Sequence, residues 1–377
     1  MRFNILQYLP KETKIKVDKD LSDALFANNK LSQLSKRMGI DLKNMSRYRN
    51  RSRPLPMDLF KKLIEISCLK VDDFQGKILV KANRTGKYVK IGPIIKIDES
   101  WIYISELIKG DGYISPSYWH IVFVNKNEGL IDIVKNFFIS LGLQENQIYI
   151  QKRLDANFLI IRSYPIAFIF NKILGVPTGK KNDIDIKEFV LSNKVLGAAA
   201  VRGAFDAEGS ITFTGSRRIS ITSNSRLWLS KLSMILENLG IKSSIYEERK
   251  NRPKPIYRLL IHHIINLRKF YEIIQPSHTQ KNSKLKEIIE AYNKPYVGYL
   301  RKPILVCIKS GKMRRLEIAN ELKQSPKTIG NNILWLRKKG LIEPSKKINT
   351  NKGSYFEYKL TDKAIIYLKG DTLPFFD

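Results

Sequence analysis

The chain has 377 residues, and its 67 Lys and Arg against 35 Asp and Glu give a formal charge of +32. A hydrophobic fraction of 43% suffices for packed cores in roughly two to four domains, and the charge favours a polyanionic partner bound in a salt-dependent way. No apolar run reaches the length of a membrane span, MRFNILQYLPKETK lacks the apolar core of a secretion signal, and Cys68 and Cys307 fit no disulfide framework, so a cytoplasmic setting is expected.

In chain order, a helical pattern over 31–38 stops at Gly39, and Asp41 can cap a second over 42–48. Leu34, Met38, Ile40, Leu42 and Met45 are placed to close the angle between them, and Lys43, Asn44 and Arg47 lie on the polar side of the second helix. This pair resembles a helix-turn-helix of the repressor type, whose second helix would enter a DNA major groove. Residues 1–75 are assigned to that region, and the basic, strand-like residues 76–95 to a linker or small sheet.

The same short helix ending then occurs twice, as ISELIKGDG over 104–112 and VRGAFDAEG over 201–209. Each runs apolar and small residues into an acid followed by Gly, namely Asp111-Gly112 and Glu208-Gly209. The acids lie 208 − 111 = 97 residues apart, room for one α/β unit between the copies. After the first copy, strand patterns at 113–115 and 118–124 precede a helix over 129–143, strands over 147–153 and 158–163, and a helix over 166–174. After the second copy the order recurs: strands over 210–214 and 218–222, a helix over 226–239 capped by Ser223 or Ser225 and stopped by Gly240, strands over 243–248 and 256–261, and a helix over 265–274. An internal repeat of this size sets the architecture before any single residue does. Two acids meeting at a pseudo-two-fold axis in a very basic chain point to metal-assisted cleavage of nucleic acid, because a carboxylate at a helix end can hold Mg²⁺ while waters and phosphate oxygens complete its shell.

These two motifs and the order of elements behind them resemble the LAGLIDADG homing endonucleases in their single-chain, two-repeat, archaeal form. The segment GVPTGKKNDIDI over 175–186 is similar to the bridge between halves in archaeal members. The resemblance implies an α+β fold of two pseudo-symmetric αββαββα repeats, over 96–187 and 188–294. It implies motif helices packed along the axis, two saddle-shaped sheets straddling double-stranded DNA, and Asp111 and Glu208 as metal ligands and catalytic residues with Mg²⁺ or Mn²⁺ as cofactor. A lysine at the end of each half, Lys180 or Lys181 in the first, with Lys181 preferred, and Lys281 in the second, would assist catalysis. Glu106 departs from the family pattern. It stands where a small residue lets the helices approach, as Gly203 and Ala207 do in the second copy, and a looser helix contact is expected there.

Strand alternation selects the residues that point away from the apolar face and toward DNA. These are Tyr149, Gln151 and Arg153 in the first repeat, against Ile148 and Ile150. In the second they are Thr212, Thr214, Arg218, Ser220 and Thr222, against Ile211, Phe213, Ile219 and Ile221. His262 and His263 are adjacent, His120 and His278 are isolated, and none has zinc-ligand spacing.

Residues 300–370 read as a winged helix: a helix from 304, a second over 315–322, and a third over 327–339 capped by Ser325 with Pro326 in its first turn and Lys327 on its surface. A basic wing is placed at 346–351, between strands near 342 and 355–360. The expected function is a site-specific endonuclease that makes metal-dependent double-strand breaks as a monomer on nucleoid DNA, from a gene in an intron or standing free. A non-cleaving DNA-binding regulator on the same scaffold and an RNA intron maturase are the alternatives. An intein is not expected, because the chain opens on Met1 and closes on TLPFFD.

Overall fold

The computed structural model describes residues 1–27, 29–74, 78–81, 88–117, 120–153, 155–179, 184–212, 217–248, 255–290, 300–311, 314–350 and 353–369. They form two compact units, Met1–Tyr292 and Asn293–Asp377. No helix among the described residues is long and apolar enough to cross a membrane.

The first unit opens with β1 (Arg2–Asn4), β2 (Lys14–Val17), α1 (Lys19–Phe26), α2 (Leu31–Met38), α3 (Leu42–Arg49), β3 (Leu55–Pro56), α4 (Met57–Ser67), β4 (Ile78–Lys81), β5 (Val89–Lys90) and β6 (Ile94–Lys96). Gly39 ends α2 in the left-handed region at φ 65°, where a side chain would be strained, and the Asp41 carboxylate accepts from the Asn44 amide to start α3. Leu34, Met45 and Tyr48 are buried between the helices. Leu42 is 49% exposed and does not close the angle as expected, because it sits at the first position of α3, beyond the reach of the α2 face. Of the two readings of 76–95, linker or small sheet, the described strands are those of a small sheet. β4 and β5 complete a sheet in the order β3-β2-β4-β5, and β6 pairs with β1. Ile78, Val80 and Val89 are fully buried, so the described strands of this stretch belong to the folded unit.

The first repeat follows as α5 (Glu99–Asp111), β7 (Gly112–Ile114), β8 (Ile121–Asn125), α6 (Glu128–Ser140), β9 (Ile148–Arg153), β10 (Ala156–Ile161) and α7 (Tyr164–Lys172). After α8 (Glu188–Leu191), the second repeat is α9 (Lys194–Glu208), β11 (Gly209–Thr212), β12 (Arg218–Ser223), α10 (Arg226–Asn238), β13 (Ser244–Glu248), β14 (Ile256–Ile261) and α11 (Ile264–Ile274), and α12 (Thr279–Glu290) closes the unit. The two four-stranded antiparallel sheets have equivalent orders, β7-β8-β10-β9 and β11-β12-β14-β13. Their registers correspond as well, with Gly112 opposite Phe123 and Gly209 opposite Ile221. One face of each sheet packs on the helices through Ile121, Phe123 and Leu159 in the first and Ile219, Ile221 and Leu259 in the second, all fully buried. The other, open face carries Tyr149 and Gln151 in the first sheet and Thr222 in the second, exposed or half-buried.

The motif helices α5 and α9 are buried on nearly every side, which explains why both lack a strong polar face. Each starts from a side-chain cap: Asp98 accepts from the Ser100 and Trp101 amides, and Asn193 from those of Val195 and Leu196. They touch at equivalent positions. A Cβ placed on Gly203 would lie 2.5 Å from the Tyr103 carbonyl oxygen and 2.9 Å from Glu106 Cβ, and one on Gly110 would lie 2.4 Å from Ala207 Cβ. Gly203→Ala is therefore expected to force the helices apart and cost about 1–3 kcal/mol, read as a lower urea midpoint with unchanged m. Equal midpoints would mean that the contact has slack.

The second unit contains α13 (Arg301–Lys309), α14 (Arg315–Glu321), α15 (Pro326–Lys338), β15 (Ile342–Thr350), β16 (Gly353–Leu360) and α16 (Asp362–Lys369). Its core joins Ile304, Leu305, Ile318, Ile329, Leu336 and Ala364. Lys346 and Asn349, placed in a loop by sequence, lie instead within β15, which pairs with β16 through a bulge at Pro344/Lys346. Alternation is weak in this polar ribbon, so the strand leaves little trace in hydropathy.

Candidate functional site

The helix contact fixes where the two acids stand. Asp111 is the last residue of α5 and Glu208 the last of α9, each one step beyond the closest approach at Gly110 and Ala207. A Cβ on Gly110 would also lie 3.2 Å from Glu208 Cγ, so the second acid leans across the end of the first helix. Glu208 is exposed and Asp111 half-buried. Asn125, at the end of β8, donates from Nδ2 to Asp111 Oδ2 at 2.8 Å and orients that carboxylate. Its own Oδ1 accepts from the Asn127 amide at 2.8 Å, and Asn127 caps α6.

Lys281, on α12, reaches into the same region. Its Nζ donates to the carbonyls of Phe205, Asp206 and Ala207 at 2.9, 2.7 and 3.0 Å. These are carbonyls of the last turn of α9, where the helix leaves acceptors over: Phe205 O also accepts from the Gly209 amide, and Asp206 and Ala207 lie beyond it. With three donors so engaged, Lys281 anchors the end of α9 and acts on the acids through its charge. Burial pushes its pKa down, while the carboxylates of Asp206, Asp111 and Glu208 all hold it up. One ammonium thus senses both motif acids.

Two buried polar networks brace the motif helices, and sequence reasoning recognised neither. Asp206 accepts from Tyr103 Oη at 2.9 Å, from the Ser277 amide at 2.8 Å and from the His278 amide at 3.2 Å. Burial raises its pKa against the pull of those donors and Lys281. Burial likewise raises Tyr103, with the Asp206 carboxylate adding to the effect. At the equivalent place in the first repeat, Lys109 donates from Nζ to Glu106 Oε1 at 2.6 Å and to the Asp185 carbonyl at 2.8 Å. The other Glu106 oxygen accepts from Trp228 Nε1 at 2.7 Å. Glu106 and Lys109 are each 1% exposed. Burial raises the Glu106 pKa, and Lys109 and Trp228 draw it back. The expected looser contact at Glu106 is therefore corrected: its Cβ packs against Gly203, and its carboxylate runs sideways into the Lys109 and Trp228 network. The sequence signal was an acid and a base three residues apart on an otherwise apolar helix, a spacing that pairs side chains on one face.

The other site residues from the sequence distribute as follows. Lys180, Lys181 and Thr214 lie outside the described residues. Tyr149, Gln151 and Arg153 are exposed on β9, with Arg153 donating to Gln151 Oε1 at 2.7 Å. Thr212, Arg218 and Thr222 are half-buried on the open face of the second sheet. Ser220 shares that face but is only 4% exposed, because it sits on an inner strand with its hydroxyl 2.8 Å from that of Ser210. Ile150, expected inward, is 49% exposed, since β9 is the edge of its sheet. Lys43, Arg47 and Lys327 are exposed, and half-buried Asn44 accepts from Arg53 at 3.0 Å. Among the described residues no cluster of three or more His, Cys, Asp or Glu could hold a metal by itself.

Comparison with known proteins bears on the body that carries the acids. Residues 196–275 match the family model of the LAGLIDADG-like domain. Reverse gyrase of Methanocaldococcus jannaschii is 26% identical over 268 residues, which are 68% of this chain and 15% of that protein. The ATP-dependent DNA helicase Hel308 of the same organism is 26% identical over 228 residues, 55% of this chain and 18% of that protein. The chain therefore spans less than a fifth of the length of these curated relatives. Among solved structures, the homing endonuclease I-DmoI in complex with DNA and Mn is 22% identical, with a TM-score of 0.36 over 47% of this chain and 96% of that one. Full-length DUF199/WhiA from Thermatoga maritima is 18% identical, with a TM-score of 0.35 over 65% of this chain and 93% of that one. The repeat that places Glu208 beside its pseudo-symmetric mate Asp111 is the part of the chain that matches the LAGLIDADG-like domain.

Proposed function

We propose that this chain is a metal-dependent endonuclease that cuts both strands of double-stranded DNA at a specific site. The observation that carries this reading is the meeting of Asp111 and Glu208 at the touching ends of α5 and α9, with the Lys281 charge felt by both. The donor set fits Mg²⁺ or Mn²⁺. Two carboxylates at helix ends leave most of an octahedral shell to water and phosphate oxygens, as Mg²⁺ prefers. Asp111 and Glu208 would hold the ion, which when bound lowers the pKa of a water and stabilises a leaving oxygen. The chain's own residues do the rest. Asn125 fixes the rotation of the Asp111 carboxylate, Lys281 holds the end of α9 in place, and its charge offsets the repulsion between two acids brought together. Asp is one methylene shorter than Glu, so the two strands are expected to be cut at unequal rates.

A regulator that binds DNA without cutting is the second reading. It is favoured by two exposed basic helices remote in sequence from the acids: α3, with Lys43 and Arg47, and α15, with Lys327 and Lys338. Cleavage of a randomised DNA library with Mg²⁺ or Mn²⁺ separates the two. Metal-dependent cuts at one recurring site are expected from the wild type and not from the Asp111→Asn, Glu208→Gln double variant. Selective retention of one sequence by both proteins, with neither cutting, would replace the nuclease with the regulator.

A further inference from the structure

The two sheets are equivalent in order and register, yet their open faces differ in chemistry position by position. On the first, the row running across the sheet is Tyr113, Val122, Ile160 and Tyr149. The equivalent row of the second is Ser210, Ser220, Leu260 and Ser244. The next row is Val124, Phe158 and Gln151 on the first sheet, and Thr222, Arg258 and Tyr246 on the second. Four apolar or aromatic side chains, at Tyr113, Val122, Val124 and Phe158, thus stand where the second repeat has Ser, Ser, Thr and Arg.

Neither face is ordinary core. Val122 and Leu260 are buried, yet both stand apart from the main hydrophobic cluster that takes in Ile121 and Leu259 beside them. Tyr113 and Tyr149 are each 39% exposed. The rings of the first face carry cations: the Arg162 guanidinium lies 4.3 Å from the centroid of Tyr149, and that of Arg153 lies 5.2 Å from that of Phe158. Rings interleaved with guanidinium groups, in a chain of charge +32, suit a polyanion that also offers flat apolar surface. On the second face the Arg258 guanidinium is held by Glu248 at 3.0 Å, a placement that presents a planar donor.

We infer that the two repeats read chemically different half-sites, the first selecting A·T pairs through thymine methyl groups and the second selecting guanine through Arg258 and its hydroxyl neighbours. This rests on the reading that both open faces bind DNA. The physical reason is desolvation. Burying base-edge donors and acceptors under Val124 and Phe158 costs free energy against any pair, and only an A·T pair returns some of it through a covered thymine methyl, which a G·C pair lacks. An arginine fork matches the O6 and N7 acceptors of guanine, and serine and threonine hydroxyls supply either role in a hydrogen bond.

The test uses the full chain and a randomised duplex pool, selected for binding without divalent metal. The expected product is one sequence with an A·T half-site and a guanine-containing half-site. In the first, replacing thymine by uracil should weaken binding about fourfold for each methyl contacted. In the second, replacing guanine by 7-deazaguanine should weaken it about tenfold. Phe158→Ser should remove the uracil effect alone, and Arg258→Ala the 7-deazaguanine effect alone. Val124→Thr, nearly isosteric, serves if Phe158→Ser does not fold, and the two base analogues need no variant at all. Selective binding indifferent to uracil, or two half-sites of the same chemistry, would overturn this inference and leave the DNA reading standing. Failure to select any duplex would overturn the DNA reading, and this inference with it.

Discussion

Asp111→Asn and Glu208→Gln are each expected to lower strand cleavage at least about a thousandfold, equivalent to about 4 kcal/mol of transition-state stabilisation, while DNA affinity stays the same or rises. The direction on affinity follows from charge. Each acid places an anion where phosphates must come, so removing it lessens repulsion and cannot weaken the sheet contacts. Neither substitution changes the size of the side chain, and both acids follow the helix contact instead of forming it, so the melting temperature should move little. Asn125→Ala should act on the same step more mildly, at about 10–100-fold, because it frees the Asp111 carboxylate without removing it. Cleavage and equilibrium binding measured on one duplex decide the matter. A parallel loss of binding and cleavage would mean that the acids shape the fold or the interface and hold no metal.

Lys109→Met is expected to destabilise the first unit by about 3–5 kcal/mol, because it leaves the Glu106 carboxylate buried without its cation. Adding Glu106→Gln should recover at least half of that loss. The Gln side chain keeps an acceptor for the Trp228 indole and removes the uncompensated charge. The pH dependence of the single variant has a definite sign. Burial already raises the Glu106 pKa, and Lys109 is the strongest influence that lowers it, so the variant raises it further. A carboxyl with a raised folded pKa contributes stability below its unfolded value, and that contribution is lost as pH rises through the folded value. Lys109→Met should therefore lie closest to wild type in mild acid and diverge as pH rises. Urea denaturation across that range is the measurement. A pH-independent deficit, or no gain from the double variant, would show that the pair is not coupled as the geometry indicates.

Both predictions draw on features that differ in how plainly the sequence displayed them. The repeat and the flanking helices were legible because their signals are short-range. Gly39 and Gly240 end helices in the left-handed region, Asp41, Ser225 and Ser325 accept from amides three residues on, and strand alternation marks β11 and β12. A small sheet over 76–95 was one of two readings, but its pairing with β2 was missed because the strands are two to four residues long and pair across most of the first hundred residues. The helix α12 passed unnoticed for a similar reason: Leu285 and Ile288 are buried and Ile289 partly so, too few apolar positions for a helical stripe.

Determined by the sequence alone, then, were the two acids, the order of elements behind each, and the basic charge that calls for a polyanion, because each depends on neighbours within a few residues or on composition. Tertiary structure alone decided the partners. Asn125 meets Asp111 across 14 residues, Glu106 meets Trp228 across 122, and Lys281 finds the end carbonyls of α9 across 74 to 76. A buried carboxylate or ammonium must find a hydrogen-bonding partner of some kind, but its own residue type does not say which. That choice belongs to the packing of α5 against α9, which brings side chains from both repeats and the segments after them within reach of one another.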